Sequence, residues 1–373
     1  MDRRCIMNSF EKYGKMLSMT PYADRSEMPI MPMLLATYGS LGDKTQAEIL
    51  EADPTNWLQA VENTWAKIGV PDVSMAMEPL DTTFIMGLPV RLPGRELGDE
   101  DLYQFVETPF FDDPEEYDKI LQMGFQNWKF GYLMAINHFN DPGQLGARFG
   151  QLGQNMGRTI GFLIQHGVVP CFESAMAPIF DDLSMIRSMQ EFTYDMYDCP
   201  EKIMDIIRKE QEGADIGTIE QAKASGAPKI GIFAMRSSAT FISPAFFEEY
   251  VWPELKKTIT RFHEAGLVSV LHADGNWLPM VKYFTELPKG SLHLELDGDT
   301  NIEEAYDTLK GYQTIRGDVP ATLFAFGTPE EVAAYSEKLV QMGMGGGFML
   351  SSGCEVPLNA KLENVKAFMD VLK

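Results

Sequence analysis

A chain of 373 residues with 45% apolar side chains is long enough to bury a large core, in two ordinary domains or one elaborated barrel. Its 54 acidic and 31 basic side chains leave a formal charge of -23, which counts against nucleic acid and membrane surfaces as partners. Cys5, Cys171, Cys199 and Cys354 are too irregularly spaced for a disulfide framework, and neither a membrane-length apolar run nor a basic-then-apolar leader is present, so a cytoplasmic location is expected.

Residues 9–17 carry the spacing of a short helix. Ile30 to Ala36 is a compact apolar run, and Asp43 to Ile68 has helical periodicity through Ile49, Leu58, Val61, Trp65 and Ile68. After Pro71, VSMAMEPL predicts a buried strand with Glu78 at its end. FIMGLPVRLP and DLYQFVETPF, between Asp81 and Phe111, read as antiparallel excursions covering one end of the domain. DDPEEYDKILQMG predicts a helix with Pro114 in its first turn, and Leu145 to Ile164 predicts another in spite of several glycines.

From residue 168 the alternation becomes regular. VVPCFESAM, Lys229 to Met235, Leu267 to His272, Ser291 to Leu296, Tyr312 to Ile315 and Gly347 to Leu350 are strand candidates. Helices are expected at 183–212, 244–265, 301–309, 329–343 and 360–372. With the strand near 72–77 and an eighth in the N-terminal third, this predicts an α/β fold, a (β/α)8 TIM barrel with an elaborated N-terminal region. Residues 1–70 are expected as a helical extension packed on the barrel, and 71–373 as the barrel with an insertion at 79–140. A doubly wound sheet is the alternative.

A barrel gathers its strand ends at one mouth, and here those ends are polar: Glu173 and Ser174; Arg236, Ser237 and Ser238; His272 and Asp274; Glu295, Asp297 and Asp299; Arg316 and Asp318; Ser351, Ser352 and Cys354. His272 and Asp274, two apart on an extended segment, point the same way. With Cys354 they offer imidazole, carboxylate and thiolate, a set that suits zinc. Against this, Cys354 alone reads as a small buried hydrophobe, and single carboxylates read as helix caps or loop ion pairs. His293 reads as structural, and His166 and His263 as helix caps. GMGGG at 343–347 follows a helix and precedes a strand, the reverse of a dinucleotide-binding order.

ISPAFFEEYVWPELKK at 242–257, FHEAGLVSVLHADGNW at 262–277 and SSGCEVPLNAKLENVKAFMD at 351–370 give the chain a resemblance to the uroporphyrinogen decarboxylase superfamily, over roughly residues 160–373. That superfamily holds porphyrinogen decarboxylases and zinc-dependent methyltransferases that work with corrinoids. The decarboxylases' arginine-rich N-terminal motif is not matched; Arg3 and Arg4 sit in MDRRCIMNS. The branch that methylates coenzyme M carries a His-x-Cys pair and a later Cys, matched here by His272 and Cys354 but with Asp274 at the middle position. LHADGNW, with ELDG and GDVP downstream, is similar to the branch that demethylates methoxylated aromatic compounds.

The resemblance thus implies a methyl ether:corrinoid protein methyltransferase. Zinc would lie on His272 and Cys354, with Asp274 or Glu173 completing the set. Asp318 or Glu295 would supply a proton and Arg236 would position a ring carboxylate or hydroxyl. Phe172, Phe233, Trp277 and Asn276 would line the substrate, with core packing as the competing reading of the three aromatic residues. The corrinoid would come from a separate partner protein, and a homodimer is also expected. The alternatives are a methylcorrinoid:thiol or folate methyltransferase, a porphyrinogen-type decarboxylase, and a non-catalytic corrinoid-protein docking factor.

Overall fold

Short parallel strands run through the centre of the molecule. The computed structural model describes residues 7–373; Arg3, Arg4 and Cys5 lie outside the described residues. The strands are β1 (Ile30–Met31), β2 (Val73–Ser74), β3 (Val169–Pro170), β4 (Ser174–Met176), β5 (Lys229–Phe233), β6 (Val268–Ala273), β7 (Leu292–Leu296), β8 (Thr314–Val319) and β9 (Phe348–Ser352). Seven of them form one sheet in the order β1-β9-β8-β7-β6-β5-β4, and β2 pairs with β3. All these pairings are parallel.

β3 and β4 are two pieces of one segment, interrupted at Cys171–Glu173, so the parallel strands occupy eight positions in chain order. Between β1 and β2 a ladder is absent among the described residues. One backbone bond, Asp72 N–H to the Ile30 carbonyl at 3.1 Å, joins them, and the Asp72 carboxylate accepts the Ile30 N–H at 3.2 Å. The architecture is therefore an α/β fold whose central parallel sheet resembles a distorted TIM barrel. β1 is the strand expected in the N-terminal third, and it comes from within residues 1–70.

The strands are buried on both faces because each crossover lays a helix over them. The helix Trp252–Glu264 shows how. Its buried residues Leu255, Thr258, Ile259 and Phe262 recur every three or four positions and form one stripe facing the sheet. Pro253 stands in the first turn, and Gly266 at φ +81° lets the chain leave the helix. Burying Ile259 and Phe262 contributes about 2–3 kcal/mol each, so a charge at either position would detach the helix.

The helix expected over 183–212 is three: Ile179–Arg187, Met189–Asp198 and Pro200–Ser225. Ser188 adopts a left-handed φ of +70°, and Pro200 has no N–H to continue the helix before it. In the inserted region Val90–Arg91 pairs antiparallel with Gln104–Phe105, as the alternation predicts. On one side, this strap receives the Ala47 N–H at the Asp99 carbonyl. On the other, Phe110 N–H reaches the Ile186 carbonyl, and Glu107 accepts from Met189 N–H and Arg236. Ile186, Met189 and Arg236 all follow the C-terminal ends of β4 and β5.

Candidate metal centre

β6 is the centre of the site. It alternates, so Val270 and His272 share a face, and Asp274 continues that face beyond the strand end. The chain turns at once through Gly275, at φ +79°, where a Cβ would lie 2.5 Å from Thr240 Oγ1 and 2.7 Å from Ser238 Oγ. Only glycine fits there. Cys354 arrives from β9 through Gly353, whose Cβ would meet the Asp297 carbonyl oxygen at 2.4 Å. Two glycine-tight turns thus deliver His272, Asp274 and Cys354 to one place, with one ligand atom from each within 4.8 Å of the others.

The imidazole is held from both sides. His272 Nε2 lies 3.3 Å from Asp274 Oδ1, and Nδ1 lies 3.1 Å from Glu295 Oε2. Behind Glu295 stands Arg316, fully buried, with Nη2 against the same carboxylate and Nη1 donating to Ser351 Oγ at 3.2 Å and Met31 Sδ at 3.0 Å. Burial alone would raise the Glu295 pKa, but Arg316 and His272 overcome it and bring it to about 2. Burial opposes charge on His272, yet Asp274 and Glu295 outweigh it and hold the ring's pKa well above the ordinary histidine range. Burial pushes the Cys354 thiol up against the pull of His272.

A nitrogen, an oxygen and a sulfur donor converging within one ion's reach fit zinc, which binds at about 2.0–2.3 Å to each type. Among the described residues the buried Glu295 Oε1 lacks a hydrogen-bond partner, an unused oxygen on the carboxylate that faces His272. With Nδ1 turned to Glu295, Nε2 is the ring nitrogen that faces Asp274 and would be the one to hold an ion. A carboxylate behind a metal-binding imidazole in this way fixes the ring and raises its basicity.

The structure separates the other expected residues. Glu173 is not at the triad: it pairs with Lys229 at 3.0 Å. The register explains this, because Ser174 lies opposite Ile230 and Lys229 opposite Val268, four residues below His272. At about 3.3 Å per residue that is roughly 13 Å towards the base. Phe172 belongs to the same low layer, with its ring against Gly231 and edge-on to Phe233. Phe233 itself is close, with ring centroids 5.7 Å from His272.

Trp277 is fully buried against Phe247 and Phe284, and its indole N–H bonds the Asp274 carbonyl at 3.0 Å. It holds the turn at Asp274, and its ring is packed away from solvent. Asn276 shapes the same turn, its side chain accepting the Leu278 N–H and its carbonyl accepting Ala239 N–H. Arg236 is occupied by Glu107 at 2.8 Å and the Ser184 carbonyl at 3.2 Å. Glu295 is an anchored carboxylate, which Arg316 and His272 hold below the usual carboxylate range against its burial. Asp318 is different: burial raises its pKa to about 6, and Tyr335 donates to it at 3.0 Å. A carboxyl so tuned can take or give a proton near neutrality.

Sequence reasoning gave no role to Arg316 and missed Tyr335, Glu355 and Tyr103. The Glu355 carboxylate accepts the Ala36 N–H at 2.7 Å, and burial lifts its pKa to about 7. Burial, and after it the nearby Glu355 and Cys354, raise the pKa of Tyr103 on the strap. Arg316 stood in plain view at a strand end. The tyrosines reach the site from a helix and from the strap, and carry no signal in the sequence.

A model of the family described as uroporphyrinogen decarboxylase (URO-D) matches residues 155–373. The chain is 28% identical over 149 residues to the methylcobamide:CoM methyltransferase MtbA of Methanosarcina acetivorans, covering 40% of this chain and 42% of that protein. With the protein of the same name from Methanosarcina mazei it shares 27% over 158 residues, 42% and 45% of the two chains. It therefore spans less than half the length of the curated relatives it matches. A solved structure titled methyltransferase from Methanosarcina mazei superposes with a TM-score of 0.63 at 15% identity, covering 98% of both chains, a likeness of fold.

Proposed function

The chain belongs to the uroporphyrinogen decarboxylase family, and from that premise we propose that it is a corrinoid-dependent methyltransferase with zinc held by His272, Asp274 and Cys354. The observation that carries the reading is the meeting of those three donors at the strand ends, backed by the names of the curated relatives. Zinc bound there would supply a Lewis acid for the sulfur of a thiol or the oxygen of an ether.

The chain's own residues do the rest. Glu295, fixed by Arg316, presents His272 Nε2 to the ion. Trp277 pins the Asp274 loop through its indole N–H. Phe233 shields one side of the imidazole from water. Asp318 holds or releases the proton that either direction of transfer requires.

Two directions are open to this site. The relatives favour the first: a methyl group passes from methyl-cobalt(III) of a corrinoid partner to a thiol sulfur, leaving cobalt(I), and the thiol proton departs. The second is favoured by Asp274, the oxygen donor standing where the thiol-methylating pattern has cysteine. Here a methoxylated aromatic compound gives its methyl group to cobalt(I), and the phenolic oxygen takes a proton. The cobalt absorption spectrum of a purified corrinoid protein, followed with zinc-loaded and metal-free chain, separates them. Zinc-dependent loss of methyl-cobalt(III) with a thiol supports the first, and zinc-dependent gain of it with an aryl methyl ether supports the second. No change in either arm overturns the methyltransferase reading.

A further inference from the structure

The segment 236–246 serves two places. Ser238 and Thr240 pack against Gly275 in the turn after Asp274, whereas Arg236, Phe241, Ile242 and Phe246 line a separate cavity of about 100 Å³ to which none of the triad contributes. The floor of this cavity is apolar: Phe180, Phe192 and Met196 are buried, and the two rings meet edge-on at 5.2 Å. Its rim is open, because Tyr197 is 82% exposed and Phe241 45%. A closed cavity of about 150 Å³ holds a benzene ring, so this open one takes a ring seated part-way into the rim.

Three polar features border this apolar space. Ser184 is buried, and its Oγ has no hydrogen-bond partner among the described residues. Both side-chain hydrogen bonds of Arg236 leave from Nη1, to Glu107 and to the Ser184 carbonyl, so its Nε and Nη2 are unpaired among the described residues. Met189 opens the helix Met189–Asp198, and its N–H is a first-turn donor that no carbonyl of the helix satisfies.

A carboxylate of the chain already uses part of this arrangement. Glu107 Oε1, on the strap, accepts the Met189 N–H at 2.6 Å and Arg236 Nη1 at 2.8 Å. A guanidinium and a helix N-terminal N–H on one carboxylate oxygen define an anion position, and the apolar floor adjoins it. The Glu107 side chain is 40% exposed, so it leaves this position without unpacking the core.

We propose that the cavity binds a small carboxylic acid with an apolar body the size of a benzene ring, whose carboxylate takes the place of Glu107 on Arg236 and the Met189 N–H. The body packs against Phe180, Phe192 and Met196, and the free N–H groups of Arg236 with the Ser184 hydroxyl are the donors left for the second carboxylate oxygen. The strap that gives up Glu107 also carries Tyr103 beside Cys354, so the acid removes one tether of that cover. This second site stands apart from the methyltransferase reading, because neither zinc nor a methyl group takes part in it.

The test is fluorine NMR of 4-fluorobenzoate, with 4-fluorobenzyl alcohol as its neutral counterpart, on the full metal-free chain, where no ion at the triad attracts the acid. The acid is expected to bind saturably and at least about tenfold more tightly than the alcohol, as a charge-assisted pair requires. Arg236→Gln lowers that affinity at least about tenfold. Glu107→Gln raises it about threefold or more, because the internal competitor is gone, and a gain cannot come from misfolding. Equal binding of acid and alcohol overturns the proposal. So does an affinity that Arg236→Gln leaves unchanged, or a Glu107→Gln chain that binds the acid no more tightly than the parent or not at all.

Discussion

The base and the mouth of the central sheet each hold a buried histidine beside charged groups, and the two are driven in opposite directions. At the base, His293 meets Thr314 Oγ1 at 2.9 Å, and burial, then the nearby Arg316 and Lys229 cations, lowers its pKa to about 3. At the mouth, Asp274 and Glu295 overcome burial and raise that of His272. Neighbour charge, not depth, separates them. The base layer holds the Lys229–Glu173 pair, and the mouth layer gathers His272, Asp274 and Cys354 beside Glu295.

Three experiments break or sharpen that contrast. The largest effect is expected from Cys354→Ala, which removes the sulfur donor. Zinc affinity falls by more than about 100-fold by metal analysis and competition with a chelator, while the urea midpoint of the metal-free chain barely moves. Stoichiometric zinc in that variant would remove Cys354 from the site.

Next comes the base histidine. Its folded pKa, about 3, lies below the roughly 6.5 of an unfolded histidine, so the unfolded chain takes up the proton first. His293 therefore makes stability fall as pH drops from about 6.5 towards 3, by on the order of 4 kcal/mol. Urea midpoints of the chain and of His293→Gln, compared at pH 7 and pH 4, should diverge in that sense. Parallel curves would show that another group carries the acid sensitivity.

The smallest expected change in energy is at the buried pair of the base layer. Lys229→Met leaves the Glu173 carboxyl without its cation and costs about 3 kcal/mol in denaturant titrations. Zinc binding per folded molecule stays the same. A loss of zinc would mean that base and mouth are not independent layers.

Much of this was legible in the sequence, for physical reasons that can be named. Buried parallel strands are continuous apolar runs, so Lys229 to Met235 and Leu267 to His272 announced themselves, and His272 with Asp274 shared a face by the period of two. β1 was hidden inside the apolar run from Ile30 to Ala36, because only Ile30 and Met31 of that run pair with a neighbour. Glu173 was misplaced because VVPCFESAM continues past it to Met176, so the strand end lay later than the first carboxylate. Trp277 resembled a substrate platform because aromatic residues after a strand end serve both packing and binding, and burial alone tells them apart. Arg236 needed Glu107, 129 positions away, to show that its charge was already engaged.

The join between β1 and β2 has a consequence for how the molecule breathes. The other neighbouring strands share ladders, but here one backbone hydrogen bond and the Asp72 side chain are the links among the described residues. The same carboxylate receives Ser9 Oγ at 2.9 Å and Lys12 Nζ at 3.0 Å from the helix Ser9–Leu17. That helix therefore acts as a clasp across a seam, and amide exchange at Ile30 and Asp72 would report how often the clasp lets go.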